Sequence, residues 1–312
     1  MVLNKQTVLV TGGAGFIGSH MVDALIKESY SVAVVDNFSS GSEKNVHPNA
    51  RIYKTDIREE ALAEVFEKER PEYVFHFAAQ ISVNRSVEDP LFDADVNILG
   101  GLNVLELCLQ NKVKKILFSS TGGALYGEAE VVPTPEKYPC EPLSPYGLAK
   151  LALEKYIRFY RRQFGLEFAI MRYANVYGPR QNPKGEAGVI SIFAEKMLDN
   201  LTPIIHGDGH QTRDYVYVGD IVRANMAAFQ SERSGTYNVG TAKQTTVNEL
   251  FKLIKDELHS PLTPKHAEVF SGQAVSCLSY EKIKRELNWE PQTSIEQGIK
   301  KTIDWVRERK EE

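Results

Sequence analysis

The run Thr7-Val8-Leu9-Val10, followed at once by Thr11-Gly12-Gly13-Ala14-Gly15-Phe16-Ile17-Gly18, restricts the fold more than any other stretch. A short apolar run rich in β-branched residues predicts a buried strand. The glycines predict a tight turn, and Phe16 to Ile26 reads as a helix. Strand, glycine turn, helix is how a doubly wound parallel sheet of the Rossmann type begins. Glycine at 12, 15 and 18 permits positive φ, close approach of a pyrophosphate, and tight packing of helix on strand. The anion would rest on the helix N-terminus, where Phe16 and Ile17 form the first turn. The spacing is Gly-x-x-Gly-x-x-Gly, not Gly-x-Gly-x-x-Gly. A turn without a ligand is the competing reading; the flanking strand and helix favour a dinucleotide.

The following segments repeat the strand–helix alternation. Ser31 to Val35 predicts a second strand ending in Asp36-Asn37. An acid there accepts hydrogen bonds from the adenosine ribose and repels a 2′-phosphate, so NAD is expected rather than NADP. Arg51 to Lys54 predicts a third strand, with Asp56 and Ile57 beyond it at the adenine edge. Ala61 to Lys68 reads as a helix and Tyr73 to Phe77 as a fourth strand, after which Ala78-Ala79-Gln80 lets the backbone pass close to a cofactor. His76 reads as a packed core histidine. Asn97 to Asn111 predicts one long helix, and Lys115 to Phe118 a fifth strand leading into Ser119-Ser120-Thr121. Phe168 to Arg172 predicts a sixth strand before Tyr173.

Ser144-Pro145-Tyr146-Gly147-Leu148-Ala149-Lys150 opens an amphipathic helix reaching Phe164, with Ser144 as N-cap and Pro145 in the first helical position. Tyr146 and Lys150 are four apart and share a helix face. An ammonium beside a phenol favours phenolate, which predicts a lowered Tyr146 pKa and a usable general base. Alone, this spacing is weak, since surface Tyr and Lys often fall so.

Composition removes other classes. With 42% hydrophobic and 25% charged residues the chain reads as a soluble globular protein, and a net charge of −4 gives no reason to expect nucleic acid or an anionic membrane. No apolar run approaches the roughly 20 residues of a bilayer span. The N-terminus carries no signal-peptide pattern, and Cys108, Cys140 and Cys277 form no Cys-x-x-Cys pair, so reduced thiols and a cytoplasmic location are expected. Gly-Asp-Gly separates His206 from His210, and no metal site is expected.

Taken together, Thr11 to Gly18, Val35-Asp36-Asn37, Asp56-Ile57, Ser119 to Thr121, Tyr146 to Lys150, Arg172 to Gly178 and Arg213-Asp214-Tyr215 give the chain a resemblance. It resembles an extended short-chain dehydrogenase/reductase, and within that group the UDP-galactose (UDP-glucose) 4-epimerases. The resemblance implies NAD held by a Rossmann domain over residues 1–175, with returning segments near 212–240. It implies a substrate lobe over 176–312. Phe77, Ala78, Ala79, Gln80, Asn97 and Tyr173 then join the cofactor set. Thr121 would bind the sugar 4-hydroxyl, Tyr146 exchange its proton, and Lys150 hold the nicotinamide ribose. Asn175, Val189, Ile204, His206, Arg213, Gln273 and Cys277 would contact the UDP-sugar. A homodimer formed by the Asn97–Asn111 and Pro145–Phe164 helices is implied too.

Two features bear on the chemistry. Related dehydratases and decarboxylases place an acid just before the Tyr-Gly of Tyr126-Gly127, whereas Gly122, Gly123, Ala124 and Leu125 transfer no protons. Hydride and hydroxyl-proton chemistry is what remains. The family's late Arg-x-Gly-Asp is replaced by Phe270-Ser271-Gly272-Gln273, and charged hydrogen bonds are worth about 1.5–3 kcal/mol each, so weaker or altered sugar-nucleotide binding is expected. Cys277 aligns with a residue that gates the sugar 2-substituent, which bears on N-acetyl sugars. Epimerisation at C4 is the leading expectation. Net NAD-dependent oxidation of a sugar or small alcohol, and non-catalytic NAD binding, remain as alternatives.

Overall fold

The computed structural model describes residues 6–183, 188–267 and 273–311. The first strand, β1 (Thr7–Thr11), leads through the glycine turn into α1 (Phe16–Lys27). Then come β2 (Ser31–Asp36), β3 (Arg51–Lys54), α2 (Ala61–Glu69) and β4 (Tyr73–His76). Short helices α3 (Val83–Glu88) and α4 (Pro90–Ala94) precede α5 (Gly101–Gln110) and β5 (Lys115–Thr121). The long α6 (Pro145–Phe164) is followed by β6 (Glu167–Tyr173) and β7 (Asn175–Tyr177). The remainder runs α7 (Val189–Leu198), β8 (Ile204–His206), β9 (Thr212–Arg213), β10 (Tyr215–Tyr217), α8 (Val218–Gln230) and β11 (Gly235–Val239). It closes with β12 (Thr245–Thr246), α9 (Val247–Leu258), β13 (Lys265–Ala267), β14 (Val275–Ser276), α10 (Glu281–Leu287) and α11 (Ile295–Glu311).

Seven strands form one sheet in the order β11-β6-β5-β4-β1-β2-β3, and every pairing is parallel. Val8, Leu9 and Val10 are wholly buried, because β1 lies between β2 and β4 with helices over both faces. That is why its sequence is continuously apolar instead of alternating. Strand order reverses on either side of β1, and this opens a crevice at the carboxyl ends of β1 and β4 where doubly wound sheets take ligands. The expected Rossmann-type sheet is therefore present.

A smaller region packs around a separate apolar cluster that includes Tyr177, Phe193, Leu250, Phe251, Ile299 and Ile303. Its sheets are short: β12-β9-β14, β13-β8 and β10-β7. Thr246 and Glu249 form the capping box that starts α9.

Several boundaries differ from the sequence expectation for tertiary reasons. The fifth strand continues through Ser119, Ser120 and Thr121, because these polar residues pair with Met171, Arg172 and Tyr173 of β6. The single helix expected from Asn97 opens as a π-helical turn, Asp95–Gly100, before α5. There the Asn97 amide is bonded to both main-chain groups of Gln80 and to Asp93, and such wide turns are found mostly where function constrains a helix. The sequence predicts a last helix over Ser294 to Val306; it runs on to Glu311, where Arg309 and Lys310 pair with Glu195 of α7 and with Asp199 just beyond it. Gly185, within the turn expected before Val189, lies outside the described residues, as do Phe270, Ser271 and Gly272. No helix of the described residues is long and apolar enough to cross a membrane.

Candidate active site

The glycine turn is shaped for close approach. Gly12 has φ +70, and a Cβ there would lie 2.6 Å from the Ala78 nitrogen; one on Gly18 would lie 2.1 Å from the Gly12 oxygen. Only glycine holds the turn against β4 and α1 at these distances. Ala14 N and Phe38 N donate to opposite oxygens of Asp36 at 2.9 and 2.8 Å. The carboxylate is thus aimed along the strand end, and each oxygen keeps acceptor capacity. Burial raises its pKa and the two backbone bonds oppose that.

A cavity of about 730 Å³ runs along the carboxyl edge, within the ~300–1,000 Å³ usual for cofactor sites. Gly12, Gly15, Phe16, Ile17, Gly18, Asp36, Asn37, Asp56, Ile57, Phe77, Ala78, Ala79, Gln80 and Tyr173 all line it, with Thr121, Tyr146 and Lys150. These residues fit a dinucleotide: a cradle without side chains, an acid for the ribose, and cavity length from β2 to β6. Among the described residues, no group of three His, Cys, Asp or Glu could hold a metal ion.

Three expected contacts take a different form. Both Asp56 oxygens are engaged, Oδ1 by the Arg58 backbone and Nε and Oδ2 by Arg58 and Asn37. The Arg58 bonds hold its carboxyl down at about 2, so the carboxylate faces the cavity already tied to Arg58 and Asn37. Asn97 does not line the cavity; it is buried behind Gln80 and braces that loop. The third is electrostatic. Burial first, and the Asp93 charge second, push the Tyr146 hydroxyl well above the ordinary tyrosine value. The expected lowering by Lys150 is therefore corrected. The Lys150 ammonium donates to the Ser119 carbonyl at 3.0 Å and stands 5.9 Å from the Tyr146 ring centroid, and burial draws Lys150 itself down to about 8. The desolvation cost of ionising the phenol exceeds what an ammonium at that distance returns.

Beneath the pair, a polar network ties α6 to the sheet. Arg172 clasps Glu154 through two bonds of 2.8 and 2.6 Å, Ser120 Oγ donates to Glu154 at 2.7 Å, and Arg172 also reaches the Tyr126 hydroxyl at 2.7 Å. Glu154 is wholly buried. It follows Lys150 by one helical turn, so the network fixes the face that carries Tyr146 and Lys150.

The expected substrate residues are distributed otherwise. Around Gly123 stand Thr121 Oγ1 and Asn175 Oδ1, 3.9 and 3.7 Å from where a Cβ would be. This brings Asn175 near Thr121. Asn175, Val189, Ile204, His206, Arg213, Gln273 and Cys277 do not line the cavity. Arg213 lies on β9 between β12 and β14, with the Glu128 charge acting on it. Val189 opens α7, and Ile204 and His206 are exposed on β8. Gln273 donates to the Gly127 carbonyl. Cys277 is buried, and burial pushes its thiol up to about 12. The cavity also gathers Arg58, Arg85, Phe92 and Gln181, which carry no motif signal of their own.

With this geometry in view, comparison with known proteins is specific. The chain belongs to the NAD dependent epimerase/dehydratase family, whose model matches residues 8–240. A solved UDP-glucose 4-epimerase of Thermotoga maritima, with UDP-glucose, shares 50% identity at a TM-score of 0.96, covering 97% of this chain and 99% of that one. A Thermus thermophilus UDP-glucose 4-epimerase complexed with NAD shares 43% at 0.92, over 97% and 99%. A UDP-N-acetylglucosamine 4-epimerase of Methanobrevibacter ruminantium shares 35% at 0.93, over 98% and 100%. The chain is accordingly an extended short-chain dehydrogenase/reductase of the UDP-glucose 4-epimerase-like kind, an enzyme with NAD as its cofactor.

Proposed function

We propose that this enzyme inverts C4 of a UDP-sugar, interconverting UDP-glucose and UDP-galactose, with the N-acetyl forms as a second substrate pair. The observation that carries the reading is the convergence of Thr121, Tyr146 and Lys150 on one cavity with the glycine turn. Gly122, Gly123, Ala124 and Leu125 add no acid there. When bound, NAD supplies the hydride acceptor and a positive charge. Thr121 holds the 4-hydroxyl, Tyr146 takes its proton as C4 is oxidised, and Lys150 holds the nicotinamide ribose. The 4-keto sugar turns over, hydride returns to the other face, and Tyr146 gives the proton back. Because burial holds the Tyr146 hydroxyl protonated, base function depends on the positive charge gathered in the loaded site.

The remaining assignments are part of the same proposal. Residues 1–175, with 212–240 returning, hold NAD through the cavity residues named above, and residues 176–312 form the substrate lobe. Asn175 and Arg213 contact the diphosphate, Val189, Ile204 and His206 the uracil end, Gln273 the uridine ribose, and Cys277 the sugar 2-substituent. The protein works as a cytoplasmic homodimer. Support for the dimer is the apolar surface of Leu91, Leu99, Leu148 and Phe159, with Leu91 83% exposed, on helices packed side by side. Contiguous exposed apolar side chains mark contact surfaces.

The test is a coupled assay on purified protein with UDP-galactose and UDP-N-acetylgalactosamine, following both the epimer and NADH absorbance. Epimer without net NADH is expected. NADH accumulating in step with substrate loss overturns the reading.

A further inference from the structure

Most buried acids of the described structure have an obvious partner. Glu154 is clasped by Arg172 and Arg158, Asp56 by Arg58, and Asp220 by Arg223. Asp36 and Asp214 accept backbone N–H groups. Asp93 differs. It is 1% exposed, and among the described residues no cation lies within ion-pair distance. Its Oδ1 accepts two neutral amide bonds, from Gln80 Nε2 at 2.7 Å and Asn97 Nδ2 at 2.9 Å. Burying a carboxylate without a bonded cation is costly. The sequence motifs give this residue no role.

Its position suggests one. Asp93 lies on α4, which packs against α6, the helix that presents Tyr146 and Lys150. Asn97 closes the group by bonding both main-chain groups of Gln80. Asp93, Asn97 and Gln80 therefore form one unit between the cavity wall at Ala78–Gln80 and the catalytic helix. We propose that Asp93 is a positioning residue for the reaction: its two amide bonds lock the Gln80 wall, and its charge keeps Lys150 an ammonium beside Tyr146. This rests on the reading of Tyr146 as proton acceptor given above.

The electrostatics agree in sign. The Asp93 charge favours the protonated form of both Lys150 and Tyr146, and Lys150 in turn favours the Asp93 carboxylate. Other charges near the pair are accounted for. Glu154, below Lys150 on α6, favours the ammonium as well, after Asp93, and is itself clasped by two guanidiniums. His76 on β4, held to Thr11 at 2.8 Å, is kept uncharged by burial and by Lys150. Arg85 on α3 is exposed and stacks on Phe92 at 4.1 Å.

The test is Asp93→Asn in the NAD-loaded enzyme, which removes the charge and keeps an oxygen acceptor for Gln80 and Asn97. Epimerisation of UDP-galactose is followed from pH 5 to 10 with kcat resolved from KM. In the loaded site, where the positive charge of bound NAD favours the Tyr146 phenolate, activity rises as Tyr146 loses its proton and falls as Lys150 loses its own. Removing a nearby negative charge favours deprotonation of both, so both limbs of the kcat profile should move to lower pH, by about one unit. Asp93→Glu, which keeps the charge, should leave them in place. Loss of activity at all pH values without displacement of either limb, or displacement upward, overturns the proposal. If Asp93→Asn does not fold, Asp93→Ser is the second neutral variant, and the same displacement is required of it. A readout without turnover runs in parallel: phenolate absorbance of the loaded protein, with the Tyr146 component identified by difference from Tyr146→Phe. An absence of epimerisation in the unaltered enzyme would refute the function, while the absorbance titration still decides the role of Asp93.

Discussion

The cofactor half and the smaller lobe solve their recognition problems by different means. In the first half, ligand-facing groups sit at the carboxyl ends of adjacent parallel strands, so strand order alone brings them to one edge. Several are segments where small residues bring the main chain to the cavity: the glycine turn and the Ala78–Ala79 wall. In the smaller lobe the sheets are two- and three-stranded, and the expected contacts are side chains scattered over β7, α7, β8, β9 and the β14 region. Backbone recognition tolerates little variation in residue type and leaves recurring motifs. Side-chain recognition from short strands leaves few.

The comparison can be tested where it is sharpest. The largest effect is expected at the catalytic phenol: Tyr146→Phe should lower kcat about 10²–10⁴-fold while leaving NAD bound, read from turnover and from the NAD content of the purified protein. A variant that also loses NAD would mean that the tyrosine is structural. Next comes the network that carries that helix. Glu154→Gln leaves Arg172 a buried cation without its carboxylate, and such broken pairs cost about 3–5 kcal/mol; urea unfolding should show a loss of that order.

In the smaller lobe the expected effect is on binding. If Arg213 grips the diphosphate, Arg213→Met should remove about 1.5–3 kcal/mol, seen as a rise in KM with kcat little changed. An unaltered KM would move the diphosphate site elsewhere and dissolve the contrast between the lobes. The smallest effect returns to the sheet. His76 is held uncharged in the fold, at about 3 against an ordinary 6.5, by burial and the Lys150 charge. Between those values the unfolded chain binds a proton that the fold does not, so stability falls as pH falls from 6.5 toward 3. His76→Asn removes this part, and unfolding free energy measured from pH 6 to 4 should fall less steeply, by about 1.4 kcal/mol per pH unit.

Much of the first half was legible from residues alone. The strand–turn–helix over Thr7 to Lys27 matches its expected extent closely because apolar runs and glycine report local geometry. The Ser144 cap and Pro145 start of α6 follow from the same local rules. Less legible was the strand through Ser119 to Thr121, since three hydroxyl residues look like a loop until β6 pairs with them. The expectation that Lys150 lowers the Tyr146 pKa followed from helical spacing and missed the desolvation of both groups. Arg85 and Gln181 gave no warning, because nothing in their neighbourhood marks a ligand, and Arg58 was passed over although it directly follows Asp56-Ile57.

The sequence by itself determined the sheet class, the succession of strands and helices along the chain, the NAD-type turn and acid, and the helix that aligns Tyr146 with Lys150. Each is set by short-range periodicity, backbone permissiveness or capping. Only the tertiary structure decided which polar residues meet. It moved Asn97 from the cavity wall to the support of Gln80, tied the Asp56 carboxylate to Arg58, and set the buried Asp93 charge near Tyr146 and Lys150. The physical reason is range. Charge, desolvation and hydrogen-bond partnership depend on distances between segments far apart in the chain, and those distances exist only once the sheet has closed its core.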